Sequence, residues 1–392
     1  MITSPLRKLA AASIIGAGLC LVLGVYAIGL TDENAASRDY IQYWAAGQRI
    51  VRGDDPYDRA AILGLEQSKG FHAQEPWISL SPPAAFMLIL PLGFMGAKTG
   101  LIFWLVLQLG CLGITTWILW VLHGRPRSSF HLAGFAFAPA LACLMAGQLG
   151  IFFLLGVVLF LYLHDSVPWA AGAALGVCAM KPHLFLPVSL ALLLWVVSRK
   201  AYRLIAGFAA FILVNIATTL AFDRHILAQY WQMTRNAGMQ NVFNPSISVA
   251  LRRIVPGHPV WLQFLLEAVA CIWAVWYFQA RRRDWNWSQH GMLLLLVSVA
   301  CAPYAWFTDE AVLLPAVLAG IYRAVELRRS LLPIALVGGV ALIEVEAFVP
   351  ITSWYLAWTA PAWLAWYLYA TSRKQLEPDS LHNLSKVTGQ IR

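Results

Sequence analysis

The residues able to do chemistry in this chain sit in short polar stretches between long apolar runs. Charges held at membrane depth are costly and mark pathways or sites, so these stretches are where function should be sought. The two longest carry nine basic residues: Arg38, Arg49, Arg52, Arg59, Lys69, Arg224, Arg235, Arg252 and Arg253. Either these are ordinary solvated loop charges, or some of them hold a phosphate at the membrane surface, as Arg and Lys do well. Lys181 stands in Met180-Lys181-Pro182-His183, at the tip of a hairpin too short to cross a bilayer fully. It is expected to face a polar cavity, with snorkelling to the interface as the alternative. His183 either assists it or caps a buried turn. Asp39 lies nine residues past the first apolar run; taken alone, it reads as a solvated juxtamembrane aspartate. Asp54-Asp55-Pro56-Tyr57 reads as a turn, and Asp58 as the cap of a helix from Arg59 to Leu65. Gln148, Asp309 and Glu310 occupy two hairpin tips as hydrogen-bonding groups at the outer side; Asp309 fits equally well as a helix N-cap.

Other chemistries lack their residues. No Gly-rich phosphate loop, nucleotide-binding domain or Ser-His-Asp order is present, which disfavours nucleotide-driven transport and serine hydrolysis. Cys20, Cys111, Cys143, Cys178, Cys271 and Cys301 all fall inside apolar runs without metal-ligand spacing, so they read as packing residues. Trp77, Tyr230, Trp231 and Trp306 are the external aromatics suited to a sugar; the remaining tryptophans fit an interfacial belt.

The elements that must position these residues are membrane helices. Hydrophobic residues make up 60% of the 392 and charged residues 12%, about half the charge of a soluble domain. Leu9–Leu30, Gly100–Leu122, Leu204–Phe222, Trp261–Gln279, Leu331–Phe348 and Trp354–Ala370 approach the roughly 20 apolar residues of a span. Basic clusters at their ends, such as Arg125 with Arg127 and Arg281 to Arg283, fit cytoplasmic loops. The net charge of +9 therefore points to membrane topology rather than nucleic acid. Threading the chain on that rule gives an all-α bundle of about 11–12 transmembrane segments in one membrane domain, residues 1–371, with external loops at 31–98 and 223–260. Hairpins are expected over Phe130–Leu163, Trp169–Val197, Met292–Tyr322 and Leu331–Ala370, followed by a polar cytoplasmic tail at 372–392. Pro82–Gly96 is too short to span and reads as a re-entrant or interfacial helix interrupted near Pro91. The first run reads as an uncleaved anchor, with a signal peptide cleaved near Ala27 as its rival. Both termini are then cytoplasmic, and a bacterial inner membrane is the expected location.

Several of these motifs recur together in a known order. Asp39-Tyr40-Ile41-Gln42-Tyr43 leads to Ala46-Gly47, then Gly53-Asp54-Asp55-Pro56-Tyr57-Asp58 and Ser81-Pro82-Pro83. Gly147-Gln148, Met180-Lys181-Pro182-His183, Asn244-Pro245-Ser246 with Arg252, and Ala302-Pro303-Tyr304 with Asp309 follow. The ordered set, over roughly residues 9 to 320, resembles glycosyltransferase family 87. That family contains polyprenol-phosphate-mannose-dependent mannosyltransferases of the GT-C fold. The resemblance implies an inverting transfer of a hexose from a polyprenyl-phosphate donor to a lipid or glycan acceptor outside the membrane. It also implies that Asp39 is the general base. Lys181, His183, Arg252 and Arg253 would meet the donor phosphate, and Tyr43, Gln148, Asn244, Ser246, Tyr304 and Asp309 the sugar or acceptor. Family members often carry histidine-rich outer tips where this chain has Thr308-Asp309-Glu310, which leaves the sugar open between mannose and other hexoses. No cofactor is required, because cations can neutralise the departing phosphate, and the scattered carboxylates leave a divalent ion open. A lipid-linked-sugar transporter and a non-catalytic envelope-assembly subunit are the alternatives. An enzyme needs its base and cations convergent at one end; a transporter needs polar groups through the full depth.

Overall fold

The structure, a computed structural model, describes residues 24, 27–236, 244–326 and 353–372. Most of the expected first span, the Leu331–Phe348 span and the tail beyond Ser372 lie outside the described residues. Among those described there are helices and turns and no strand. Ala97–Leu122, Tyr202–Phe222 and Leu262–Arg281 are long and apolar enough to cross a membrane. At 26 residues and a rise of about 1.5 Å each, the first of these exceeds the ~30 Å hydrocarbon layer. All three expose large apolar side chains: Val106 and Trp117, Leu213 and Val214, Ile272 and Trp276. In water such faces would drive association, whereas in a bilayer they meet lipid tails.

Between the long helices pack shorter apolar ones. Phe130–Ala146, expected as one span, is a 3-10 segment at Phe130–Phe135 and a helix at Ala138–Ala146, the latter with Pro139 in its first turn. Proline lacks the N–H that a continuing helix would need, so it starts a helix instead. The Pro168–Gly176 helix tightens to a 3-10 turn over Val177–Met180 and stops before Pro182. Proline bars its predecessor from the helical region, and Lys181 lies at φ −132°, ψ 70°. Pro168–Gly176 crosses Tyr202–Phe222 at backbone contact: a Cβ on Gly172 would overlap the Leu204 carbonyl, and one on Gly207 the Trp169 carbonyl. Small residues at a crossing bring backbones together where no hydrophobic effect separates helix from lipid.

The expected external loops contain helices of their own. The first holds Tyr40–Ile50 and Arg59–Gln67, and the second Ile226–Asn236 and Ile247–Ile254. Pro83–Phe94 is short and broken, as expected: 3-10 to Ala85, one α turn at Phe86–Ile89, then 3-10 through Pro91 to Phe94. It packs against Tyr40–Ile50, whose Trp44 Nε1 donates to Met95 O at 2.8 Å and Gln48 Nε2 to Gly93 O at 3.0 Å. These bonds fix the helix that begins beside Asp39.

Candidate active site

Asp39 occupies the N-cap position of Tyr40–Ile50, yet its side chain makes no capping bond. Asp58, one helix later, caps conventionally, accepting from the amides of Ala60 and Ala61. The Asp39 carboxylate turns instead to Gln148, whose Nε2 donates to Asp39 Oδ2 at 2.6 Å. Gln148 Oε1 in turn accepts from the Tyr43 hydroxyl at 2.7 Å. Tyr43 lies four residues after Asp39, about one helical turn, so one helix supplies both ends of the relay. Burial, then the carboxylates of Asp39 and Asp309, push the Tyr43 phenol well above its ordinary value, so it stays a donor.

Gln148 is placed by its backbone. Gly147 adopts φ 72°, the left-handed cap of Ala138–Ala146, and a Cβ there would lie 2.6 Å from Tyr40 Cβ. Trp104 Nε1 donates to Gly147 O at 2.8 Å, Cys143 Sγ to Gln148 O at 3.0 Å, and Gln108 Nε2 also to Gln148 O. Arg38 ties in from the other side, donating to Met145 O at 2.8 Å.

Across the site, Lys181 Nζ pairs with both oxygens of Asp309, at 2.7 and 3.0 Å. Asp309 is buried and also accepts from Trp306 N at 3.1 Å. The Lys181 pair and the bond from Trp306 N both hold the start of the Phe307–Leu313 turn in place. Burial raises the Asp39 pKa above its ordinary 3.8, against the Gln148 bond and the Lys181 charge, which lower it. His183 is pushed down to about 4 by burial and then by Lys181, with Asp309 opposing, so near neutral pH it is an uncharged imidazole. Its ring meets Tyr304 edge-on at 5.6 Å. Glu310 lies outside this set and accepts from Thr359 Oγ1 at 2.5 Å.

Beyond Tyr304 lies a second polar group. Ser246 caps Ile247–Ile254 through Val249 N, and its hydroxyl donates to Pro303 O at 3.4 Å. Arg252 is buried, with Nη1 on Gln263 Oε1 at 2.8 Å and Nε on His258 O at 3.1 Å, whereas Arg253 is exposed. Asn244 is buried beside Ser246. The expected residues thus fall into two groups, one around Asp39 and Lys181 and one around Arg252, joined at the His183–Tyr304 contact. Of the external aromatics, Trp77, Trp231 and Trp306 are exposed and Tyr230 packs on Tyr57 at 5.9 Å. Sequence reasoning passed over Gln108, Gln263 and Glu267. Glu267 carried a signal: it is the one charged residue inside Trp261–Gln279.

An apolar groove of about 280 Å³ is lined by Met87, Leu88, Phe152, Leu159, Met180 and Phe211 among others, Met180 being the residue before Lys181 in sequence. A larger cavity, about 660 Å³, lies among helix ends bearing His123, Arg281, His290 and Arg323. Among the described residues no three His, Cys, Asp or Glu side chains converge as a ligand set for a metal. Residues 80–303 match the sequence profile of glycosyltransferase family 87. No curated protein and no solved structure matches the chain significantly.

Proposed function

The chain belongs to glycosyltransferase family 87, and from that membership we propose that it transfers a hexose from a polyprenyl-phosphate donor to a lipid or glycan acceptor at the outer membrane face. The observation that carries this reading is the half-buried Asp39 carboxylate, released from capping and oriented by Gln148, within electrostatic reach of Lys181. In an inverting displacement the acceptor oxygen bonds to the anomeric carbon as the bond from that carbon to the phosphate oxygen breaks. The acceptor proton passes to Asp39, and the electron pair leaves with the polyprenyl phosphate. Partial desolvation makes Asp39 a stronger base, while the Gln148 bond keeps its orientation. Lys181 has three N–H donors, and its pairing with Asp309 leaves capacity for a phosphate oxygen. The apolar groove that reaches Met180, the residue before Lys181, suits the donor's isoprenoid chain. The family contains mannosyltransferases, so mannose is a fitting hexose, and Tyr43 and Gln148 are the polar side chains beside Asp39 that would meet its hydroxyls. A bacterial inner membrane with the site facing outward completes the reading.

Asp39→Asn tests it. Loss of a general base costs about 10²–10⁴-fold in rate. The purified variant, assayed with radiolabelled polyprenyl-phosphate hexoses and membrane lipid extract, should lose transfer by that factor while retaining donor binding. The wild-type rate should fall as pH drops through the raised Asp39 pKa, because a protonated carboxyl cannot accept; that acidic limb lies above 3.8. Wild-type turnover by Asp39→Asn would sink the assignment.

A further inference from the structure

Glu267 lies on the buried face of Leu262–Arg281 in an otherwise apolar stretch, 7% exposed. Its Oε1 has no hydrogen-bond partner. A buried carboxylate lacking a partner on one oxygen is expensive, and such groups persist where they line a site. Gln263, one turn earlier, faces the same way. Both ends of its amide are held, the oxygen accepting from Arg252 at 2.8 Å and the nitrogen donating to Pro303 O at 2.8 Å. Ser246 donates to the same carbonyl, and Ser248 Oγ to Cys301 O at 3.3 Å, so residues 301–304 are the hub of the group. Asn244, 3% exposed, leaves its Oδ1 unpartnered as well. Tyr304 completes the set: its phenol is raised mainly by burial, with Arg252 lowering and Glu267 raising it. Phe264 meets the Tyr304 ring at 6.0 Å, adding an apolar wall.

The two unpartnered atoms, Glu267 Oε1 and Asn244 Oδ1, share one property: each accepts hydrogen bonds. An amide oxygen and a carboxylate oxygen are satisfied by hydroxyl donors and repelled by an anion. Arg252, the cation of this group, is already directed to Gln263 and His258. We propose that Asn244, Glu267 and Tyr304, braced by Gln263 and Arg252, form a subsite for a neutral polyol, the hydroxylated ring of the acceptor. The proposal rests on the glycosyl-transfer reading above and assigns that site two unlike ends. Lys181 and the apolar groove suit an anionic, lipid-borne donor; Glu267 and Asn244 suit an uncharged sugar or inositol-like ring. His183 and Tyr304 stand where the ends meet, so the acceptor ring would lie on the Tyr304 side and present a hydroxyl toward Asp39.

The test uses the full chain in lipid nanodiscs, free of glycoside detergent. Saturation-transfer NMR is read with methyl α-D-mannopyranoside, methyl α-D-glucopyranoside and myo-inositol as probes, and with added inorganic phosphate. Wild type should transfer saturation to at least one of the polyols, undiminished by phosphate. Glu267→Gln, which keeps shape and removes charge, should bind that polyol roughly tenfold more weakly, and Glu267→Ala not at all. With labelled donor, Glu267→Gln should keep slow transfer to water while transfer to membrane acceptor falls. No saturation transfer in wild type, unchanged binding in Glu267→Ala, or displacement by phosphate would overturn the subsite. Failure of every polyprenyl-phosphate hexose to react with wild type would instead sink the donor reading, leaving the binding result to decide the subsite.

Discussion

Two aspartates at equivalent helix positions show how residue type and residue role separate. Asp58 caps its helix, while Asp39 leaves the cap and reaches Gln148, more than a hundred positions away in sequence. The Asp58 role was legible locally, because a cap interacts within three residues. The Asp39 partner was not, since only tertiary packing brings the Gly147 turn beside Tyr40. Lys181 was legible as a lone cation between apolar segments; its pairing with Asp309 was not, for the same reason. That pair leads to a prediction. Lys181→Gln leaves Asp309 buried without its cation, a loss on the order of 3–5 kcal/mol for a fully buried pair and less here, where Lys181 is partly exposed. Thermal unfolding in nanodiscs should show the single variant destabilised. The double variant Lys181→Gln, Asp309→Asn should recover much of that loss. Transfer should stay low in both if Lys181 meets the phosphate. Recovery of transfer along with stability would make Lys181 a purely structural residue.

At the scale of elements, proline and glycine wrote most of the readable signal. Pro82, Pro83 and Pro91 mark the broken segment that braces Tyr40–Ile50, and Pro182 ends the helix before Lys181. Hydropathy alone did not resolve Phe130–Ala146 into two pieces, because both are apolar and only Pro139 hints at the second start. Nor did it single out Gln263 and Glu267: an apolar window averages over the two polar positions that face inward one turn apart. The most consequential glycine is Gly147. Alanine there would enter the left-handed region, at about 1–2 kcal/mol, and press its Cβ against Tyr40. Gly147→Ala should therefore lower both thermal stability and transfer, by displacing Gln148 from Asp39. Gly124 has a similar φ of 77° but no neighbour within 4 Å, so Gly124→Ala should lose about as much from backbone strain alone and leave transfer unchanged. Equal activity in the two variants would show that the Gly147 turn does not orient the base.

Across the whole molecule, polarity is distributed unevenly. The buried charged residues are Glu66, Asp223, Arg252, Glu267, Asp309 and Glu310 among those described. Under the threading above, Glu66, Asp223 and Arg252 belong to the external loops, Asp309 and Glu310 to an outer hairpin tip, and Glu267 to the second turn of a helix starting at that end. The opposite helix ends hold Arg281, Arg323 and the exposed basic clusters instead. A transporter needs polar groups at successive depths so that its cargo is met throughout the crossing, whereas a transferase needs them gathered where donor and acceptor coincide. Under that threading the buried charges gather at one end, as transfer requires. The buried polar side chains farther along the helices, such as Gln108, Thr115, Thr116 and Ser298, are uncharged. Orientation is then decisive. An isoprenoid-linked donor on the outer leaflet can reach Asp39 and Lys181 only if residues 31–98 and 223–260 face outward. Single cysteines introduced in a cysteine-free background test this in intact cells. A membrane-impermeant maleimide should label position 55 in the first loop and spare position 283 until the membrane is opened. The reverse pattern would put the Asp39 end on the cytoplasmic side. The donor would then have to be presented on the inner leaflet, and the proposed reaction, though not the family, would need a different location.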